Sequence, residues 1–116
     1  MDSARAALPA QASLPAFQRA VAHFVEAHAL EAAPAIRLLD LVSEAGEVAK
    51  ELLTGTRYGR EEFRPDAAWS EELADLFFAL VCVANSTGVN LEAALDDALS
   101  RYAASLDERG DAGSGR

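Results

Sequence analysis

The chain has 116 residues, 10 Lys+Arg against 19 Asp+Glu, and a formal net charge of −9. That balance argues against coating nucleic acid or an anionic membrane, because both demand basic surface. The 51% hydrophobic content is enough for one folded core, and the single cysteine, Cys82, excludes an intrachain disulfide and every multi-cysteine zinc site.

Alanine supplies 26 residues, against 7 Gly and 4 Pro, a mix that favours helix over sheet. Residues 1–13 are Ala-rich without a sustained period and read as a loose N-terminal arm. They lack a basic start followed by an apolar run, so no signal peptide is expected. The longest nearly uncharged apolar run, Leu76 to Ala84, is about half of the roughly 20 residues a membrane span needs. A soluble, cytoplasmic protein is the expectation, and the lone cysteine fits a reducing compartment.

Four helices are predicted. The first begins near Ser13, a plausible N-cap, with Pro15 in its first turn. Phe17, Val21, Phe24, Val25 and His28 recur at helical spacing. His28 suits a helix end, where partial positive charge meets the dipole. The second helix runs from about Pro34 to Leu53, with Leu38, Leu41, Val42, Ala45, Val48, Ala49 and Leu52 in one stripe and Gly55 as a stop signal. A loop from Thr54 to Asp66 carries Arg57, Arg60 and Arg64. The third helix spans about Ala67 to Thr87 with Gly88 as its cap; Asp66 and Ser70 both qualify to start it. The fourth spans Leu91 to Leu106 behind Asn90, with Leu91, Leu95, Leu99, Tyr102 and Leu106 on one face. Residues 107–116 read as a frayed tail. The expected fold is all-α: a four-helix bundle over 14–106 whose short helices need a second subunit to complete the core.

The acids carry the chemistry. On the second helix Asp40, Glu44, Glu47 and Glu51 fall within an arc of roughly 60°. A solvated face explains that row by itself. The third helix, LADLFFALVCVA from Leu73, is apolar on every side and reads as buried over most of its surface. Asp75 is its only charge, with Glu72 one turn earlier. A carboxylate in such a helix must be protonated, pair with a base such as Lys50 or a loop arginine, or bind a cation. Antiparallel packing brings Glu44-x-x-Glu47 opposite Glu72-x-x-Asp75. Four clustered acids need cations to stay ionised, and all-oxygen ligands select Mg²⁺ first, then Mn²⁺ or Ca²⁺. A di-iron carboxylate bundle would bring Glu-x-x-His pairs, and neither histidine stands three residues after a glutamate.

Glu-x-x-Glu, a loop, then Glu-x-x-Asp resembles the pattern of the MazG-like all-α NTP pyrophosphatases. The likeness extends through LLDLVSEAGEVAKELL and WSEELADLFFALVCVANSTGVNLEAAL, covering roughly residues 17–106. The resemblance implies that Glu44, Glu47, Glu72 and Asp75 hold Mg²⁺ against a nucleoside triphosphate. It implies water attack between the α- and β-phosphates, giving the monophosphate and pyrophosphate in the service of nucleotide-pool cleaning. Glu47, ahead of Glu44, would orient or deprotonate that water. Lys50, Arg57, Arg60, Arg64 and Arg101 are the candidate phosphate contacts, since arginine suits bidentate phosphate binding. Asn85 and Tyr102 are candidate polar contacts to the nucleotide. A homodimer or dimer of dimers is implied, with no membrane or nucleic-acid polymer as partner. Many relatives carry an aromatic four residues after the motif aspartate, where this chain has Ala79. Many also carry a Lys-rich stretch in the last helix; here it is LDDALSRYAASL, which keeps Arg101-Tyr102 without lysines. Two rival readings follow: a non-catalytic metal- and nucleotide-binding helical dimerisation module, and a structural bundle in which Asp75 pairs with an arginine.

Overall fold

The computed structural model describes residue 8 and residues 11–109. Its elements are α1 (Leu14–Ala27), α2 (Pro34–Gly55), α3 (Ala67–Ser86) and α4 (Leu91–Arg109), with no strand among the described residues. The predicted arm and tail lie mostly outside those residues, although α4 continues past Leu106 to Arg109.

α1, α3 and α4 start where a side chain satisfies a free backbone donor, while α2 starts at Pro34 behind Ala33 with no side-chain cap. The Ser13 hydroxyl accepts from the Ala16 N–H at 3.2 Å, with Pro15 in the first turn. The Asp66 carboxylate accepts from Trp69 N–H at 3.1 Å, so Asp66 rather than Ser70 caps α3. Asn90 Oδ1 accepts from Ala93 N–H at 3.1 Å and opens α4. α3 stops at Ser86, with Thr87 as cap and Gly88 in the left-handed region at φ +72°.

Gly55 has a different role from the one predicted. α2 runs through it and is capped by Thr56. A Cβ at Gly55 would stand 3.0 Å from the Phe63 ring, which packs edge-on against Trp69 with centroids 4.9 Å apart. The glycine makes room for the returning loop. Trp69 is accordingly a loop anchor.

α2 and α3 form an antiparallel pair. The N-terminal part of α2 (Arg37) and the C-terminal part of α3 (Cys82) border one cavity, while Glu44, further along α2, meets Glu72 and Asp75 near the start of α3. α1 lies against α3, with Phe24 edge-on to Phe78 at 6.1 Å. The chain turns through 102° between α3 and α4, and α4 meets the other helices chiefly at α1.

Among the described residues the buried apolar side chains are few: Ala16, Ala79, Val81, Cys82 and Ala84, of which only Val81 is fully enclosed. α3 holds four of these five, yet it is less covered than its sequence suggests. Leu73, Phe77 and Leu80 are each about 40% exposed. Leu38, Leu39 and Val42 on α2, and Leu95, Leu99, Tyr102 and Leu106 on α4, are also exposed. The radius of gyration is 17.2 Å, against about 13 Å for a compact chain of this length. Apolar faces are left open because four helices in this arrangement have no further helix to cover them.

The cap assignment gives a direct test. Asp66→Ala should cost about 1 kcal/mol, while Ser70→Ala should leave stability within about 0.5 kcal/mol. Urea melts of the two variants would check this, and equal midpoints would reassign the cap.

Candidate metal centre

Three of the four motif acids converge. Glu44 of α2 and Glu72 and Asp75 of α3 each offer a carboxylate oxygen, and the three oxygens lie within 4.8 Å of one another. The i,i+3 spacing places Glu72 and Asp75 one above the other on α3, where a single residue of α2 reaches both. Glu44 and Glu72 are half-buried and Asp75 is exposed.

Electrostatics mark the cluster as well. The Glu72 carboxyl is raised above its ordinary value, first by burial, then by the negative charges of Glu47, Asp75, Glu44 and Glu51. Glu47 thus contributes to the field of the cluster but stands outside the three-oxygen set, exposed and one turn along from Glu44. Among the described residues the ion pairs are Arg37–Asp40 at 4.0 Å, Arg57–Glu61 at 3.3 Å and Arg101–Asp97 at 3.3 Å. None of them neutralises Glu44, Glu72 or Asp75, so the structural bundle with an Asp75–arginine pair is not what forms among these residues.

The donor set suits a hard divalent cation. It is all carboxylate oxygen and carries three negative charges. Around an octahedral ion with ligand distances of about 2.1 Å, ligand oxygens stand roughly 3.0–4.2 Å apart, close to the separation within 4.8 Å found here.

The candidate substrate contacts are dispersed. Lys50, Arg57, Arg60 and Arg64 are exposed on the end of α2 and the following loop. Arg57 faces Glu61, and Arg57, Tyr58 and Gly59 all take positive φ, at 52°, 60° and 87°. Hydrogen bonds from Tyr58 N–H to Leu53 O at 2.7 Å and from Gly59 N–H to the Thr56 hydroxyl at 3.0 Å hold this turn. Arg101 pairs with Asp97 one turn back and lies 5.8 Å from the centre of the Tyr102 ring. Tyr102 is half exposed on α4.

Asn85 stands apart from this group. Its Oδ1 accepts from Gln18 Nε2 at 2.9 Å and its Nδ2 donates to Gln18 O at 3.0 Å. The amide is engaged in joining α1 to α3, a structural role its sequence position did not suggest. Two polar residues with structural work went unread in the sequence. Gln18 sits in the α1 stripe with Val21 and Val25, and a polar residue in an apolar stripe is the signal that points to it. Arg37 is only 12% exposed; it donates to Leu30 O, tying the α1–α2 turn to α2. A cavity of about 460 Å³ lined by Val25, Arg37 and Cys82 lies at this end, and none of the motif acids borders it.

Comparison with known proteins agrees with the geometry. The sequence model of the MazG nucleotide pyrophosphohydrolase domain matches residues 34–111. YpjD of Bacillus subtilis (strain 168), an uncharacterized protein, is 35% identical over 72 residues, covering 60% of this chain. The match spans 63% of the length of that relative. The crystal structure of YPJD from Bacillus subtilis is similar with a TM-score of 0.68 at 28% identity, covering 81% of this chain and 98% of that one. The structure of the Bacillus-conserved MazG protein, a nucleotide pyrophosphohydrolase, has a TM-score of 0.67 over 81% of this chain and 93% of that one; at 24% identity it bears on the fold alone. With its matched segment holding both acid pairs and its helices arranged as in these structures, the chain belongs to the MazG nucleotide pyrophosphohydrolase domain family.

Proposed function

We propose that this chain is a Mg²⁺-dependent nucleoside triphosphate pyrophosphohydrolase that cleaves between the α- and β-phosphates. The products are the monophosphate and pyrophosphate, and nucleotide-pool cleaning is the role. Residues 14–106 are its working domain, Mn²⁺ is the substitute ion, and the chain acts in the cytoplasm as a homodimer or dimer of dimers. The observation that carries this reading is the meeting of Glu44, Glu72 and Asp75 without a basic partner among the described residues, in a chain of this family.

Glu44, Glu72 and Asp75 hold the divalent ion. When bound, the cation neutralises phosphate charge and stabilises the charge that develops as the phosphoanhydride opens. Glu47 is left out of the three-oxygen set and is exposed, one turn from Glu44. As the fourth carboxylate of the motif it would join in holding the ion and, ahead of Glu44, would orient water and accept its proton. The water oxygen bonds to phosphorus, the α–β bridging bond breaks, and pyrophosphate leaves. Lys50 on α2, Arg57, Arg60 and Arg64 in the α2–α3 loop, and Arg101 and Tyr102 on α4 are the residues that would contact the nucleotide and its phosphates. Exposed arginines in i,i+4 pairs exchange an acid for a phosphate at little cost, because such pairs are worth only about 0.3–0.5 kcal/mol.

A pyrophosphate-release assay across ribo- and deoxyribonucleoside triphosphates, with Mg²⁺, Mn²⁺ or chelator, tests the activity. Metal-dependent release establishes the reaction. Nucleotide binding without release would make the chain a sensing and dimerisation module instead.

Separation of roles is testable by substitution. Asp75→Asn should abolish metal binding and turnover together. Glu47→Gln should lower turnover by about 10²–10⁴-fold while the ion still binds. Calorimetric metal titration beside the release assay distinguishes them, with helicity followed by circular dichroism.

Glu72 gives a pH-dependent prediction. Its carboxyl is raised in the folded chain, so its contribution to metal-free stability is present at low pH and is lost as pH rises through the raised value. In chelator, Glu72→Gln should melt higher than wild type at about pH 7, and the gap should close toward about pH 4. Added Mg²⁺ should reverse the order, raising the wild-type melting temperature and leaving the variant unmoved.

A further inference from the structure

α4 is joined to the remainder of the fold by unusually little apolar packing. It buries no residue fully, and the chain enters it through a 102° turn. Something other than a hydrophobic seam must set its direction. One side chain accounts for the polar contacts at that corner. Gln18 Nε2 donates to Asn85 Oδ1 at 2.9 Å and to Val89 O at 2.8 Å. Gln18 Oε1 accepts from Leu91 N–H, the first helical residue of α4, at 2.8 Å. Asn85 Nδ2 closes the ring on Gln18 O at 3.0 Å. One side chain thus reaches the last turn of α3, the connecting residue and the first turn of α4.

The rest of the corner is already satisfied locally. Val89 N–H bonds to Ala84 O at 2.9 Å and Asn90 caps Ala93, which leaves the Leu91 N–H for Gln18. The bonds to Asn85 and Leu91 are partly buried, and the one to Val89 is exposed. It also lies in α1, ahead of residues 34–111 that match the family.

We infer that Gln18 is a positioning residue, a latch that fixes the α3–α4 corner and so the direction in which α4 carries Arg101 and Tyr102. The effect is one of leverage. Arg101 stands about 15 Å along α4 from Leu91, so a swing of about 10° at the corner moves it by roughly 3 Å. Displacements of about 1 Å already disturb the alignment of reacting groups. The link from α4 to turnover rests on the proposed nucleotide reading; the latch itself does not.

Two variants and three readouts test it. Gln18→Leu removes every side-chain bond. Gln18→Glu keeps an oxygen for Leu91 N–H and loses the donors to Val89 and Asn85. Spin labels at Ser43→Cys on α2 and Ala104→Cys on α4, both exposed, report the inter-helix distance, with labelled chains diluted in unlabelled ones. Cys82 is buried and its thiol is raised by that burial, which keeps the labels on the two introduced sites.

In Gln18→Leu the distance distribution should broaden and shift, and exchange at the Leu91 amide should quicken about tenfold or more. KM for the nucleotide should rise about tenfold with Mg²⁺ affinity unchanged. Gln18→Glu should keep Leu91 protected and still broaden the distances. A Gln18→Leu chain with wild-type distances and wild-type Leu91 exchange overturns the latch, and so does an unchanged distribution in Gln18→Glu should the leucine variant not fold. Should wild type release no pyrophosphate, the proposed activity falls, while distances and exchange still decide the latch.

Discussion

Packing α2 against α3 works against electrostatics, because it sets Glu44 opposite Glu72 and Asp75 with Glu47 and Glu51 close by. The apolar contact along the same seam has to exceed that repulsion for the chain to fold at all. Among the described residues no arginine or lysine is paired with the three converging acids, although basic residues stand nearby in sequence at Lys50 and Arg57. A fold selected only for stability would gain by neutralising this group. An acid cluster left without a basic partner in this way is what the proposed cation site requires.

The other constraint is the shortage of interior. Five small or medium side chains are buried, and three helices present leucines to solvent. Surface of this kind is what a second copy of a helical chain covers, in line with the oligomer proposed above. Among the described residues Leu73, Phe77 and Leu80 of α3 form one such exposed apolar face.

Much of this was legible in the sequence. Ser13, Asn90 and Gly88 stand where the helices begin and end, because capping depends on a few neighbouring residues. The acid pairs were legible because i,i+3 spacing fixes a face irrespective of tertiary context. Burial of α3 was not, since an all-round apolar helix says that its surface needs cover without saying which molecule supplies it. Gly55 misled because a glycine after a helical stripe serves as a stop or as clearance for a neighbour, and only the position of Phe63 decides. The structural role of Asn85 was hidden for a related reason. Its partner, Gln18, is 67 residues away, beyond any local pattern.

The α2–α3 pair has a kinetic consequence. Its two helices are joined by one short loop, and that loop is already organised by bonds from Tyr58 to Leu53 and from Arg60 and Glu61 to Thr56. Contacts between segments so near in sequence close at small entropic expense, so a helical hairpin of this type forms early and fast. α4, which has no buried residue, has the least packing to lose and is the element whose local opening costs least.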